Sequence, residues 1–257
     1  MLLAIPFGIA IGLIVGAVGG GGAILALPVL VYVLGEPVNP ASTASLIVVA
    51  LAAAVGAGSL ARHGHVCWRL AITFSVPAAA GSLAGAIANQ HVSGRALMLA
   101  FVPVMLVAAG ATWQRAGANR DERESECPPV AIGPAALAGF GVGALTGFFG
   151  VGGGFVIVPV LTLWFGLSFR RAVATSLVII TLTGIAALAS HLLEGARLDL
   201  PITVLLAGST AIGALVGTMV GSRLPQDQLG RAFAIVVTTV ALFLLVDTLA
   251  FGGPPGS

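Results

Sequence analysis

Apolar residues run almost without interruption along this chain, and polar positions gather in short breaks between stretches of about 20 residues. Six of these stretches are continuous. At a rise of 1.5 Å per residue, each can cross a hydrocarbon core of ~30 Å as a helix. The six predicted transmembrane helices are Ala41–Ala61, Leu70–Gln90, Ala96–Trp113, Ala172–Leu192, Leu200–Val220 and Ala232–Ala250.

Two further apolar stretches are interrupted by glycine. The first contains four consecutive glycines, Gly19–Gly22, and the second contains three, Gly152–Gly154. Around the first break, Ile5–Val18 makes about 21 Å of helix and Ala23–Val33 about 16 Å, so neither piece spans a membrane alone. Each interrupted segment is therefore predicted to be either a bent helix that crosses or a re-entrant hairpin.

The chain repeats itself. The first glycine-broken segment is GLIVGAVGGGGAILALPVL (Gly12–Leu30), and a similar segment, GALTGFFGVGGGFVIVPVL (Gly143–Leu161), follows 131 positions later. The two are identical at 8 of 19 residues. The same offset aligns ASTASL with AVATSL. We therefore divide the chain into a first membrane repeat, a charged linker, a second membrane repeat and a disordered tail, at residues 1–113, 114–131, 132–251 and 252–257. Internal repeats of this kind are typical of secondary transporters.

The arginines distinguish the two geometries, because cytoplasmic loops gather basic residues. All 11 basic residues are arginine. Eight crossing segments would divide them 6 to 5, whereas six spans with two re-entrant hairpins divide them 9 to 2. The re-entrant model is favoured, with three spans per half, oppositely oriented halves, and the Arg-rich loops on the cytoplasmic side of a bacterial inner membrane.

Composition narrows the class of protein. Hydrophobic residues make up 58% of the chain and charged residues only 8%, against roughly 25% in soluble domains. The chain is therefore predicted to be an all-α polytopic membrane protein, with the lipid bilayer as its surroundings. A net charge of +2 without a basic cluster does not indicate nucleic acid. Without a nucleotide loop, paired carboxylates or a Ser/His/Asp arrangement, we expect no enzyme and no cofactor.

The glycine breaks carry the candidate chemistry. A helix that begins inside the membrane exposes N–H groups with a partial positive charge, and glycine lets an anion approach them closely. We predict two half-helix N-termini that face each other and bind a small anion, with hydroxyls completing the site. The predicted substrate-binding residues are Gly19, Gly20, Gly21, Gly22, Ala23, Thr43, Ser45, Gly150, Gly152, Gly153, Gly154, Phe155, Thr175 and Ser176.

Several other glycine motifs and polar residues, and the hydroxyls of the predicted site, also have purely structural explanations. GLIVG, GALTG, GSLAG and GALVG are explained by close helix packing, and a membrane hydroxyl often bonds only its own helix carbonyl. His63, His65 and Cys67 could ligate a metal but lack a fourth ligand nearby, so no metal site is predicted. Asp247 lies in the last apolar segment and is a weaker candidate for proton coupling. Two cysteines do not imply a disulfide framework.

The motif G-x-G-G-G-F-x-x-V-P-V-L (Gly150–Leu161), its repeat and the A-x-x-T/A-S-L segments resemble the TauE/SafE family, also called the TSUP family. The resemblance covers essentially the whole chain, although the first half departs at Gly20 and Ala23. It implies a transporter of small sulfur-containing anions such as sulfite, thiosulfate or organosulfonates. No intramembrane Lys or Arg is evident to hold such an anion, so helix dipoles and hydroxyls would have to bind it.

The resulting expectation is a secondary transporter of a small sulfur-containing anion, an exporter that works by alternating access. The alternatives are an uncoupled anion channel and a membrane subunit of a larger complex. The sequence leaves open which anion moves, the coupling ion and whether the chain forms a homo-oligomer.

Overall fold

The computed structural model describes residues 4–20, 23–33, 35, 38–89, 92, 94–116, 127, 129, 131–149, 154–193 and 200–250. These residues form ten α-helices and one π-helical segment, without a strand among them. The first half contains α1 (Ala4–Val18), α2 (Ala23–Pro28) with the π-helical segment Val29–Val33, α3 (Val38–Ala61), α4 (Trp68–Asn89) and α5 (Gly94–Ala116). The second half contains α6 (Ile132–Phe149), α7 (Gly154–Leu163), α8 (Phe169–Leu193), α9 (Leu200–Arg223) and α10 (Gln226–Ala250).

Within the described part of the chain, six helices are long and apolar enough to cross a membrane, which confirms the all-helical, multi-pass prediction. Five of them are predicted spans. The sixth is α6, while α5 has a shorter apolar stretch, Leu99–Gln114. The sequence pattern places α6 within an interrupted segment, whereas α6 is a continuous helix of 18 residues before the glycine break. The first three residues of the predicted linker, 114–116, still belong to α5.

Both apolar segments are broken where the glycines predicted. Helix α1 ends at Val18 and α2 begins at Ala23, while α6 ends at Phe149 and α7 begins at Gly154. After the first break the chain folds back, because Leu30 shares a buried cluster with Ala4 at the start of α1. A straight continuation of the 15-residue α1 would instead carry Leu30 well over 20 Å away from Ala4.

Helices α3 and α8, which occupy equivalent positions in the two halves, run in opposite directions. A β-carbon built on Gly56 of α3 would lie 3.1 Å from Cδ1 of Leu177 in α8. One built on Gly184 would lie 2.9 Å from Cβ of Ala50. Later residues of α3 therefore contact earlier residues of α8, so the two helices are antiparallel.

Helices α3 and α9 run in the same direction. The early part of α3 shares a small buried cluster with Leu206 near the start of α9. Near the end of α3, the Ser59 hydroxyl accepts a hydrogen bond from the hydroxyl of Thr218 in α9 at 3.3 Å. Contacts that advance together along both helices define a parallel pair.

Glycine stripes join two further parallel pairs, α1 with α9 and α4 with α6. A β-carbon on Gly12 would overlap the carbonyl oxygen of Thr210, and one on Gly16 would overlap that of Ala214. The glycines of GSLAG, GALTG and GALVG meet the backbone of their partner helices in the same way. The packing interpretation of these motifs is confirmed, since small residues let membrane helices approach closely.

Polar contacts gather several loops at one end of the molecule. Arg171 Nη1 donates to the carbonyl of Gly64 at 3.4 Å, and Arg170 Nη2 donates to the carbonyl of Leu224 at 3.5 Å. Arg231 lies over the ring of Trp113, 5.9 Å from its centroid. The eight-span alternative would place the α3–α4 loop and Arg171 on opposite faces of the membrane, so the contact between Arg171 and Gly64 is incompatible with it. We call the end of the molecule that contains Arg170, Arg171 and Arg231 the Arg-rich end.

Candidate functional site

The first glycine break begins with a left-handed residue. Gly19 has φ +82°, and its N–H donates to the carbonyl of Val15 at 2.9 Å, the last turn of α1. Glycine adopts this conformation without the steric cost that a side chain brings, which is why helices commonly end on it. A β-carbon at Gly19 would lie 2.9 Å from Oγ of Ser176 in α8. The break in the first half therefore faces α8 of the second half.

The two breaks touch each other. A β-carbon built on Gly20 would overlap the carbonyl carbon of Gly154, the first residue of α7. One built on Gly154 would lie 2.5 Å from Cα of Gly20 and 2.7 Å from Cδ1 of Ile180. Two backbones can come this close only where neither carries a side chain. The two breaks therefore meet at Gly20 and Gly154, whereas the predicted facing of the two half-helix N-termini stays a prediction, because Gly22 lies outside the described residues.

The start of α7 is electropositive and buried. Gly154 is buried and Phe155 is 1% exposed, and the first turn holds no acidic residue. The first N–H groups of a helix lack partners within the helix and carry the positive end of its dipole. A negative charge placed beside this turn would be stabilised.

The two adjacent hydroxyls of α8 face different surroundings. Ser176 is fully buried beside Gly19, and its hydroxyl donates to the carbonyl of Val173 at 2.8 Å. Thr175 is also fully buried, but its oxygen accepts the N–H of Cys67 at 3.1 Å. Ser176 is therefore the hydroxyl at the break, whereas Thr175 holds the α3–α4 loop.

Phe155 belongs to an aromatic cluster. Its ring meets that of Phe101 edge-on with centroids 5.3 Å apart, and Phe101 lies 5.0 Å from Phe149. These rings come from α5, α6 and α7, so they anchor both sides of the second break. The Phe155 side chain thus contributes packing beside the second break, and its backbone N–H is among those at the start of α7 that lack a partner within the helix.

Part of the predicted set falls outside the described residues: Gly21, Gly22, Gly150, Gly152 and Gly153. Helix α2 begins at Ala23 and α3 contains Thr43, but the side chains of these two residues are also undescribed. Ser45 is half-buried in α3. For all residues of the predicted set, a role in binding stays a prediction.

A disulfide at the Arg-rich end has no counterpart in the sequence analysis. It joins Cys67, in the loop before α4, to Cys127 in the linker, with the Cα atoms 5.6 Å apart. Cys67 therefore has no thiolate to offer beside His63 and His65, whose rings lie 6.3 Å apart. The two cysteines are 60 positions apart in the sequence, and nothing in their local sequence context predicts that the fold brings them together.

Comparison with known proteins finds a matching family model and several relatives over most of the chain. The family model described as sulfite exporter TauE/SafE matches residues 4–244. A "probable membrane transporter protein" of Xylella fastidiosa is 31% identical over 255 residues, covering 95% of each chain. One of Methanocaldococcus jannaschii is 25% identical over 265 residues, covering 95% of this chain and 97% of its own length. One of Bacillus subtilis is 25% identical over 242 residues, covering 91% and 96%. No solved structure matches the chain.

Proposed function

Starting from the fact that the chain belongs to the sulfite exporter TauE/SafE family, whose relatives are named membrane transporters, we propose that it is a secondary transporter of a small sulfur-containing anion. The anion belongs to the sulfite, thiosulfate and organosulfonate class, and the net direction is export. The family and the relatives' names indicate a transporter rather than an enzyme.

One observation carries the proposed site: the contact between Gly20 and Gly154. It brings the backbone just after α1 to the electropositive start of α7, beside the buried hydroxyl of Ser176. Discontinuous helices whose N-termini point at an anion are a recurring solution in secondary transporters. To bind an anion, the Ser176 hydroxyl rotates away from the Val173 carbonyl and donates into the break.

The helix directions support an inverted repeat and alternating access. The equivalent helices α3 and α8 are antiparallel. The end of α5 meets the start of α10 through Trp113 and Arg231, as expected for an antiparallel pair. Two oppositely oriented halves can exchange conformations around a shared site, which then opens alternately to each face. The Arg-rich end faces the cytoplasm of a bacterial inner membrane in this proposal.

Sulfite flux through liposomes that contain only this chain tests the proposal. We expect saturable flux, and Ser176→Ala should raise the KM for the anion about three- to tenfold, since one hydrogen bond is worth roughly 1 kcal/mol. Ser209→Ala is the matched control, because this buried hydroxyl also donates to its own helix but lies in α9 beside Gly8. Equal effects of both substitutions would move the site away from Gly19.

The same assay separates the rival functions. A coupled carrier responds to an imposed proton or sodium gradient, whereas a channel conducts without saturation or coupling. Absence of flux from the isolated chain in well-formed liposomes would favour a subunit of a larger complex.

Cysteine labelling tests the orientation of the two halves. The background for these experiments is Cys67→Ser/Cys127→Ser. In it, Val92→Cys introduces a single thiol between α4 and α5, and Ser168→Cys introduces one before α8, at the opposite end of the molecule. We expect an impermeant maleimide to label position 92 in intact cells and position 168 only after permeabilisation. Labelling of both from one face would contradict the inverted arrangement.

A further inference from the structure

The two residues of the disulfide at the Arg-rich end differ in their exposure. Cys67 is 2% exposed, whereas Cys127 is an exposed residue of the linker. A dissolved nucleophile therefore reaches Cys127 first. Attack on one sulfur of a disulfide expels the other, so Cys67 is the leaving group in such a reaction.

A positive charge stands beside the accessible sulfur. Arg171 Nη1 lies 3.5 Å from Sγ of Cys127 and 3.4 Å from the carbonyl oxygen of Gly64. The contact with Gly64 holds the guanidinium against the loop. An anionic nucleophile that approaches Cys127 is attracted to this charge, and reactive sulfur sites are typically electropositive and partly exposed.

The leaving sulfur also lies in a favourable field. Cys67 directly precedes α4, and its carbonyl accepts the N–H of Ala71 at 2.9 Å, so Cys67 caps the start of a 22-residue helix. A thiolate at the N-terminus of a helix is stabilised by the dipole. Both ends of the S–S bond are therefore arranged for cleavage in one direction.

We propose that this disulfide is a reaction site for a sulfur-centred anion, with sulfite as the reactant. The proposal rests on the proposed function in that sulfite belongs to the transported class. The lone pair on the sulfite sulfur forms a bond to Cys127 Sγ, and the electron pair of the S–S bond leaves with Cys67 Sγ as a thiolate. The products are an S-sulfonated Cys127 and a thiol at Cys67, without any further oxidant or reductant.

The chemistry discriminates within the substrate class. Sulfate and sulfonates such as taurine have no lone pair on sulfur, so they do not cleave the bond. Between sulfite and the organosulfonates, the site therefore reacts with sulfite alone. Because the Cys67 N–H bonds to Thr175 and the next residue, Ser176, lies beside Gly19, cleavage acts one residue away from the proposed transport site.

Cleavage also releases the linker from the α3–α4 loop, since the disulfide joins the two segments covalently. Disulfides that face a reducing cytoplasm are usually transient and reactive rather than structural. A cytoplasmic Arg-rich end and a sulfite-sensitive disulfide are therefore mutually consistent.

Mass spectrometry of the purified, oxidised full-length protein tests the reaction directly. With sulfite we expect the addition of one SO₃ group on Cys127 and one maleimide-reactive thiol at Cys67, while taurine and sulfate leave the disulfide intact. A disulfide that survives sulfite, or an SO₃ group on Cys67, would overturn the proposal.

Two neighbouring arginines supply a matched comparison. Arg171→Gln should slow the reaction about tenfold, because one charge-assisted contact with the reacting sulfur is lost. Arg170→Gln removes the same charge one position away, where the guanidinium contacts the Leu224 carbonyl instead, and should leave the rate unchanged. Equal rates in the two variants would refute the role assigned to Arg171.

The flux assay keeps this inference separate from the transport function. The Cys67→Ser/Cys127→Ser variant should still move sulfite, because the proposed transport site lies at the glycine breaks. Sulfite flux with an unreactive disulfide would refute the inference alone. Reaction at Cys127 without flux through any variant would refute the transport function alone.

Discussion

Gly154→Ala is expected to reduce anion flux at least tenfold and to lower the free energy of unfolding by about 2–3 kcal/mol. The new β-carbon would lie 2.5 Å from Cα of Gly20 and 2.7 Å from Cδ1 of Ile180. Side chain and backbone must therefore shift, which separates the two breaks. Liposome flux and thermal unfolding in detergent measure the two effects.

Gly58→Ala provides the control for this substitution. A β-carbon at Gly58 meets nothing within 4 Å, so alanine there should be neutral or should stabilise α3 by up to about 1 kcal/mol through helix propensity. If Gly154→Ala left flux and stability unchanged, the two breaks would not meet at Gly154.

The second large effect is expected within α6. Gly143→Ala should destabilise the protein by about 1–3 kcal/mol, because its β-carbon would overlap the carbonyl oxygen of Ala78 in α4. Gly141→Ala, two positions away on the same helix, adds a β-carbon with nothing within 4 Å and should be neutral or slightly stabilising.

Unfolding midpoints in detergent, measured on both α6 variants, decide this prediction. A common loss of stability would mean that the effect is not specific to the α4–α6 contact, because alanine favours the helix at both positions. A loss confined to the Gly143 variant would assign the effect to the α4–α6 contact.

The sequence predicted the features that depend on local composition. Helix ends at Val18 and Ala23 follow from the oligoglycine tract, and the small-xxx-small motifs follow from the need for close packing in lipid. It could not identify the partners. Nothing within GLIVG specifies that Gly12 packs on Thr210, because both partners contribute only bare backbone to the contact.

The candidate site was predictable to a similar extent. The tract from Gly19 identified an irregular backbone, but which hydroxyl meets it depends on the rotation of α8. Thr175 and Ser176 are neighbours in sequence, yet one holds the Cys67 N–H and the other faces Gly19. The Cys67–Cys127 pair was missed for the same reason, since its proximity is created by tertiary packing.

The pairing of α1 with α9 has a consequence for biogenesis. Gly12 and Gly16 are synthesised well before the backbone of Thr210 and Ala214, against which they pack. With about 200 residues between the partners and synthesis at about 5–20 residues per second, α1 waits about 10–40 s for α9. During that interval its glycine face is covered only by lipid, by another helix or by the insertion machinery.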